Sequence, residues 1–80
     1  MRVVKENKHA ENKIRGLRLW SRYQKQKAYF IENPSHRSLD FCFFDRKNRI
    51  GSFKITNKYR VKIIKNTDAS FTVIDAGDFH

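Results

Sequence analysis

Ser52-Phe53-Lys54-Ile55-Thr56-Asn57-Lys58-Tyr59-Arg60-Val61-Lys62-Ile63-Ile64 is the stretch on which the fold turns. Phe53 and Ile55 alternate with Ser52, Lys54 and Thr56; beyond a polar centre, Val61 and Ile63 alternate with Arg60, Lys62 and Ile64. Period two belongs to a strand with one buried face, so the stretch predicts an antiparallel hairpin. Directly opposed residues share a face. With Ile55 paired to Val61, Thr56 opposes Arg60, Lys54 opposes Lys62, and Asn57-Lys58-Tyr59 forms a three-residue loop. A two-residue loop sets Lys54 against Val61 and mixes the faces. The pattern therefore gathers Lys54, Arg60 and Lys62 on one open face.

The alternation continues outward. Downstream, Asn66-Thr67-Asp68 reads as a turn, and Phe71, Val73 and Asp75 alternate with Thr72, Ile74 and Ala76. Upstream, Leu39, Phe41 and Phe43 alternate with Asp40, Cys42 and Phe44, followed by a basic turn, Asp45-Arg46-Lys47-Asn48-Arg49. Such hairpin spacing predicts a twisted four-stranded antiparallel sheet with one face covered. The cover is a helix from about Ala10 to Ile31. Ile14, Leu17, Trp20 or Ser21, Gln24, Ala28 and Ile31 recur at three- and four-residue steps, flanked by Tyr23, Lys27 and Phe30. Gly16 costs about 1 kcal/mol relative to Ala and marks a kink or a break into two helices. Asn33-Pro34 ends the helical run. Residues 1–9 read as a short strand or a frayed arm. The expected fold is α+β: one N-terminal helix, or two, on a four-stranded antiparallel sheet, as a single domain over residues 1–80.

The chain has 80 residues and one cysteine, Cys42, so the core comes from ordinary packing without an internal disulfide. Cys42, between phenylalanines, reads as a small packed side chain rather than a nucleophile. No Cys/His spacing fits a structural zinc site, and no metal or small-molecule cofactor is expected. No Gly-rich phosphate loop, apolar carboxylate pair or nucleophile elbow is present. The charged start does not resemble a signal peptide, and no apolar run approaches the roughly 20 residues that span a bilayer. A cytoplasmic location with no membrane partner is expected.

Eighteen Lys+Arg against eight Asp+Glu give a formal charge of +10. That imbalance fits a polyanion or an acidic protein as partner; solubility alone is served equally well by mixed charge. Arg15, Arg18, Arg22 and Lys25 line one face of the predicted helix, with no acid between Glu11 and Glu32. The stripe reads as a phosphate- or partner-binding face, or as the solvated side of an amphipathic helix. Lys54, Arg60 and Lys62 repel one another unless an anion lies among them, which points to a phosphate site. Metal-free RNA cleavage requires such cations together with an acid and a base. His80 and His36 are the candidates for proton transfer. His36 also reads as a turn residue at the helix–strand junction, and His80 as a terminal residue without a role; His9 has nothing to recommend it. Tyr59, Phe44 and Tyr29 are candidates for base stacking or for the core.

Two motifs carry a family resemblance. Asn33-Pro34-Ser35-His36-Arg37-Ser38-Leu39-Asp40-Phe41 resembles the N-P-x-H-x-S-L-x-F junction of one branch of the RelE/ParE superfamily of bacterial toxins. Ser52 to Arg60 resembles that branch's S-x-R-I-x-x-x-Y-R hairpin, and Phe71 to Gly77 resembles its last strand. The resemblance spans about residues 13–80. It implies helices on a twisted antiparallel sheet, and a toxin that cuts mRNA on the ribosome without a metal. The alternative it implies is a gyrase poison or a non-catalytic RNA-binding member. The implied partners are a cognate antitoxin, mRNA and the ribosome. Lys54, Arg60 and His80 take the implied catalytic places. Lys62, Arg46, Lys47, Arg49 and Lys58 are assigned to RNA, and Arg15, Arg18, Arg22 and Lys25 to antitoxin or RNA. Lys54 stands where that hairpin has Arg, which keeps the charge but loses the fork. Phe79 takes the expected histidine place, with His80 one position late and no aspartate/tyrosine tail after it. The N-terminal segment looks short for a first strand and two full helices.

Overall fold

The fold, taken from a computed structural model that describes residues 2–78, is α+β. It runs β1 (Val4–Glu6), α1 (Lys8–Gly16), α2 (Trp20–Glu32), β2 (Cys42–Asp45), β3 (Ile50–Lys54), β4 (Arg60–Lys65) and β5 (Phe71–Gly77). The sheet has five strands in the order β1-β5-β4-β3-β2, not four. It is mixed, because β1 lies parallel to β5, with Val4 beside Phe71 and Glu6 beside Val73. The antiparallel meander of β2 to β5 stands as expected. The polar N-terminal segment thus does supply a first strand, and two helices follow it. Only Val4 of β1 is buried, which is why no period shows in the sequence there.

Asn7 links β1 to α1. Its backbone N–H donates to the Val73 carbonyl at 3.0 Å, while its Oδ1 accepts the Ala10 N–H at 2.7 Å as an N-cap. The helical run then breaks. Arg18 takes a left-handed conformation (φ 59°), its N–H donates to the Arg15 carbonyl, and the Leu19 N–H reaches the Ile14 carbonyl. These two bonds are those of a Schellman motif, with Arg18 where glycine is usual. The break resets the helical phase. Tyr23, Gln26 and Phe30 of α2 are buried, whereas Gln24 and Ala28 are exposed. The expected stripe of Gln24, Ala28 and Ile31 is therefore displaced by about one position.

The helices cover one sheet face, with Phe30 at the centre of the core. Its ring lies 4.9 Å from Phe71 edge-on, 5.2 Å from Phe53 in a stack and 5.2 Å from Phe41 edge-on. Such aromatic pairs contribute about 0.5–1.5 kcal/mol each beyond burial. Val61, Ile63 and Val73 fill the sheet side. At Gly51 a Cβ would stand 2.7 Å from the Cys42 carbonyl oxygen, so glycine permits the close approach of β2 to β3.

The central hairpin departs from the expected register. Phe53, not Ile55, opposes Val61; Lys54 opposes Arg60; and Ser52 opposes Lys62. The loop is residues 55–59, longer than three residues. Thr56 Oγ1 accepts the N–H groups of Lys58 (3.2 Å) and Tyr59 (3.1 Å), while the Ile55 and Thr56 N–H groups donate to the Tyr59 carbonyl at 2.9 and 3.1 Å, so side chain and backbone close the loop together. Ile55 leaves the ladder and remains buried. Each side chain keeps the face that the alternation assigned to it, because the slip does not change parity.

Candidate nucleic-acid interface

With Val61 and Ile63 buried against the helices, Arg60 and Lys62 point to the opposite face of β4, and Lys54 joins them from β3. Directly opposed pairs such as Lys54 and Arg60 have Cβ atoms about 5 Å apart, and like charges so placed are destabilising. The structure relieves that repulsion at Arg60. Its Nε donates to Ser52 Oγ at 3.1 Å, Nη1 to Asp40 Oδ2 at 3.2 Å and Nη2 to the Asp40 backbone carbonyl at 2.6 Å. The Arg60 side chain is only 14% exposed, whereas that of Asp40 is 77% exposed. The guanidinium is thus fixed from below by the sheet and covered on one side by a carboxylate that solvent reaches. An exposed ion pair of this kind contributes about 0–1 kcal/mol.

Lys54 is positioned from behind. Buried Gln26 of α2 donates through Nε2 to the Lys54 carbonyl at 2.8 Å and to the Ser38 carbonyl at 3.0 Å. One side chain therefore ties the end of β3 to the segment that carries Asp40. The Lys54 amine lies 3.5 Å from Asn57 Oδ1. Across β4 from Ser52, Lys62 has Asp75 of β5 as its other neighbour in the ladder.

The remaining predicted residues are dispersed. Arg46, Lys47 and Arg49 are exposed in the β2–β3 turn, at the far end of β3 from Lys54. Lys58, also exposed, lies 5.4 Å over the Tyr59 ring. The helical stripe is not continuous, because Arg18 falls in the break. Arg15 pairs with Glu11 at 3.0 Å and sits 4.1 Å over the Trp20 ring. Arg22 and Lys25 border a hollow of about 410 Å³ with Gln26 and Ile55, next to the residue 55–59 loop. His80 lies outside the described residues.

His36 is a turn residue. Its Nδ1 accepts the Ser38 N–H at 3.2 Å and lies 2.8 Å from Ser38 Oγ, while the ring stacks on Tyr29 at 4.0 Å. His9, which had nothing to recommend it, lies 3.1 Å from Asp75 Oδ1. Cys42 is exposed, not packed, because β2 is an edge strand and its outward face meets no helix. Phe44, on the same side, is 56% exposed and available for stacking. No helix among the described residues is long and apolar enough to cross a membrane.

Sequence reasoning missed Asp40, Ser52 and Gln26. Asp40 and Ser52 fall on polar positions of alternating runs, where nothing distinguishes a guanidinium partner from a solvated residue. Gln26 is hidden by the break, which moves it onto the core face. A further group was also missed: Tyr23 Oη donates to Glu6 Oε2 at 2.5 Å, and Lys27 Nζ pairs with the same oxygen at 2.8 Å. Burial, reinforced by the hydrogen bond and charge of Glu6, pushes the Tyr23 hydroxyl far above the ordinary phenol range. No protein-family model matches the chain, and no curated protein matches it.

Proposed function

We propose that the chain binds RNA through the phosphate backbone as a RelE/ParE-like toxin, and that the open sheet face bearing Lys54, Arg60 and Lys62 receives the strand. The observation that carries this reading is the direct opposition of Lys54 and Arg60 on that face. A phosphate neutralises both, and can replace the exposed Asp40 carboxylate on an already oriented guanidinium. The excess of ten positive charges supports a polyanionic ligand. In this reading Lys54 and Arg60 hold and neutralise the scissile phosphate of mRNA on the ribosome, and His80 is the proton-transfer group. A cognate antitoxin masks the surface.

One observation favours a second reading, a binder that does not cleave. The two described imidazoles already have partners within the fold: His36 stacks on Tyr29, and His9 lies 3.1 Å from Asp75, the ladder partner of Lys62. In vitro translation followed by mapping of mRNA ends separates the two. Ribosome-dependent cuts that vanish in Arg60→Ala support the endonuclease. Inhibition with intact mRNA supports the non-cleaving binder, and an uninhibited reaction rejects the toxin reading.

A further inference from the structure

Opposite the Lys54 end of the sheet, the β2–β3 and β4–β5 turns are fastened side by side by the Lys65 N–H, which donates to the Arg49 carbonyl at 2.9 Å. Between them opens a hollow of about 460 Å³ bordered by Phe43, Arg46, Arg49, Lys65, Asn66 and Ala69, among others. Arg46 and Arg49 come from the basic β2–β3 turn and Lys65 from the end of β4, so the charge run in the sequence shows two of the three cations but not the group. Each other well-held cation, Arg15, Lys27 or Arg60, has its own carboxylate. Among the described residues Arg46, Arg49 and Lys65 have none within ion-pair distance. The nearest acids in the chain are engaged in the turns themselves. Asp45 accepts from Asn48 N–H and Nδ2 at 3.1 and 2.8 Å, and Asp68 accepts from Ser70 N–H and Oγ at 3.0 and 2.6 Å.

The hollow is separate from the open face. Lys65 follows Val61 and Ile63 in the alternation and opposes the buried Phe71, so it leaves the sheet on the helix-covered side. Phe43 packs against the core on the same side and supplies an aromatic wall. Along β4, Arg60 and Lys65 stand about 17 Å apart at ~3.4 Å per residue. A neighbouring hollow of about 600 Å³ shares Lys65 and Ala69 and adds Arg2 and Lys5, with Asp68 on its rim. Positive charge therefore continues around the sheet end, as suits a polymer that carries one charge per unit.

We propose that the hollow bounded by Arg46, Arg49 and Lys65 is a second RNA seat, taking one nucleotide of a single strand with its phosphate among the three cations and its base against Phe43. The proposal rests on the RNA-binding reading and extends it to a surface on the other side of the sheet. Two guanidinium forks beside an aromatic ring favour a nucleotide over a carboxylate side chain, because phosphate contact and base stacking act together.

The test is fluorescence anisotropy with a single-stranded RNA of about ten nucleotides, within the usual site sizes of such proteins, at several salt concentrations. The wild type is compared with a variant carrying Arg46→Gln, Arg49→Asn and Lys65→Gln; Asn is chosen because Arg49 has φ 59°. One phosphate held among the three cations accounts for about 0.7 of the slope of log K against log salt, so the triple variant loses about 0.7. Phe43→Leu weakens binding with the slope unchanged. Should the triple variant fail to fold, Lys65→Gln alone, at an exposed site, is expected to weaken binding and to lose part of that slope. Wild-type binding with a slope the variants leave unaltered overturns the second seat and leaves the RNA reading standing. Absence of wild-type RNA binding overturns both. Variants that lose binding of a poly-glutamate peptide, but not of RNA, overturn the proposal in favour of an acidic protein ligand.

Discussion

Asp40 holds the Arg60 guanidinium from two of its own atoms, the carboxylate Oδ2 at 3.2 Å from Nη1 and the backbone carbonyl at 2.6 Å from Nη2. The carbonyl can reach because Asp40 adopts a left-handed backbone (φ 46°), which Asp and Asn tolerate better than most residues. Asp40→Asn keeps the conformation and the carbonyl contact and removes the charge. RNA affinity is then expected to rise by about two- to fivefold at fixed salt, as an exposed ion pair of up to ~1 kcal/mol is lifted from the competing phosphate. A fall in affinity would mean that the carboxylate stays on Arg60 when RNA binds.

Gln26 is expected to be the most sensitive polar position near the open face. Gln26→Leu conserves approximate volume but leaves the Ser38 and Lys54 carbonyls without their donor. Each such loss costs about 1–3 kcal/mol when buried, so the variant should lose about 2–4 kcal/mol in urea unfolding. RNA affinity should fall as well, because the Lys54 N–H bond to the Leu39 carbonyl, at 2.7 Å, is then the remaining tie between the end of β3 and the segment before β2.

Gly51→Ala is expected to destabilise by about 1–3 kcal/mol, with β2 displaced from β3. The added methyl carbon meets the Cys42 carbonyl at 2.7 Å and the Phe41 ring at 3.0 Å, and the backbone oxygen cannot swing aside as a side chain would. Thermal melting checks this. For a domain of this size 1 kcal/mol corresponds to roughly 4–8 °C.

The Tyr23 hydroxyl gives a pH signature. Its pKa in the folded chain is raised, by burial first and by Glu6 second. Its contribution to stability is therefore fully present below the unfolded phenol value of about 10. Above that pH the unfolded chain loses a proton that the folded chain keeps. Stability then falls by about 1.4 kcal/mol per pH unit. Tyr23→Phe should remove that slope, measured as the difference between the two proteins' unfolding free energies from pH 9 to 11. Equal slopes would show that the phenol ionises freely in the fold.

The alternation from Leu39 to Val73 made the meander and the faces of the central hairpin legible, since parity survives a register slip; beyond Val73 a bulge in β5 reverses the reading, setting Asp75 opposite Lys62 and burying Ala76. The pairing itself was not legible. Phe53 and Ile55 are equally good partners for Val61, and the decision falls to the loop, closed by the Thr56 hydroxyl together with the Ile55 and Thr56 N–H bonds to the Tyr59 carbonyl. The parallel strand β1 was obscured because one buried valine makes no pattern. The helix break showed at Gly16, yet the left-handed residue is Arg18, for which no composition rule prepares. In the candidate site, charge and face could be read for Lys54, Arg60 and Lys62. The carboxylate on Arg60 could not, because Asp40 lies twenty positions away on a polar step of another run.

The most direct measurement is the salt dependence of RNA binding for the wild type and for the variant Lys54→Gln with Lys62→Gln, using one single-stranded RNA of about ten nucleotides. The wild type is expected to weaken steeply as salt rises, and the variant to lose about 1.4 from the slope, about 0.7 for each phosphate contact removed. An affinity that does not change with salt, or a variant that keeps the wild-type slope, would contradict an RNA backbone held on the open face of the sheet.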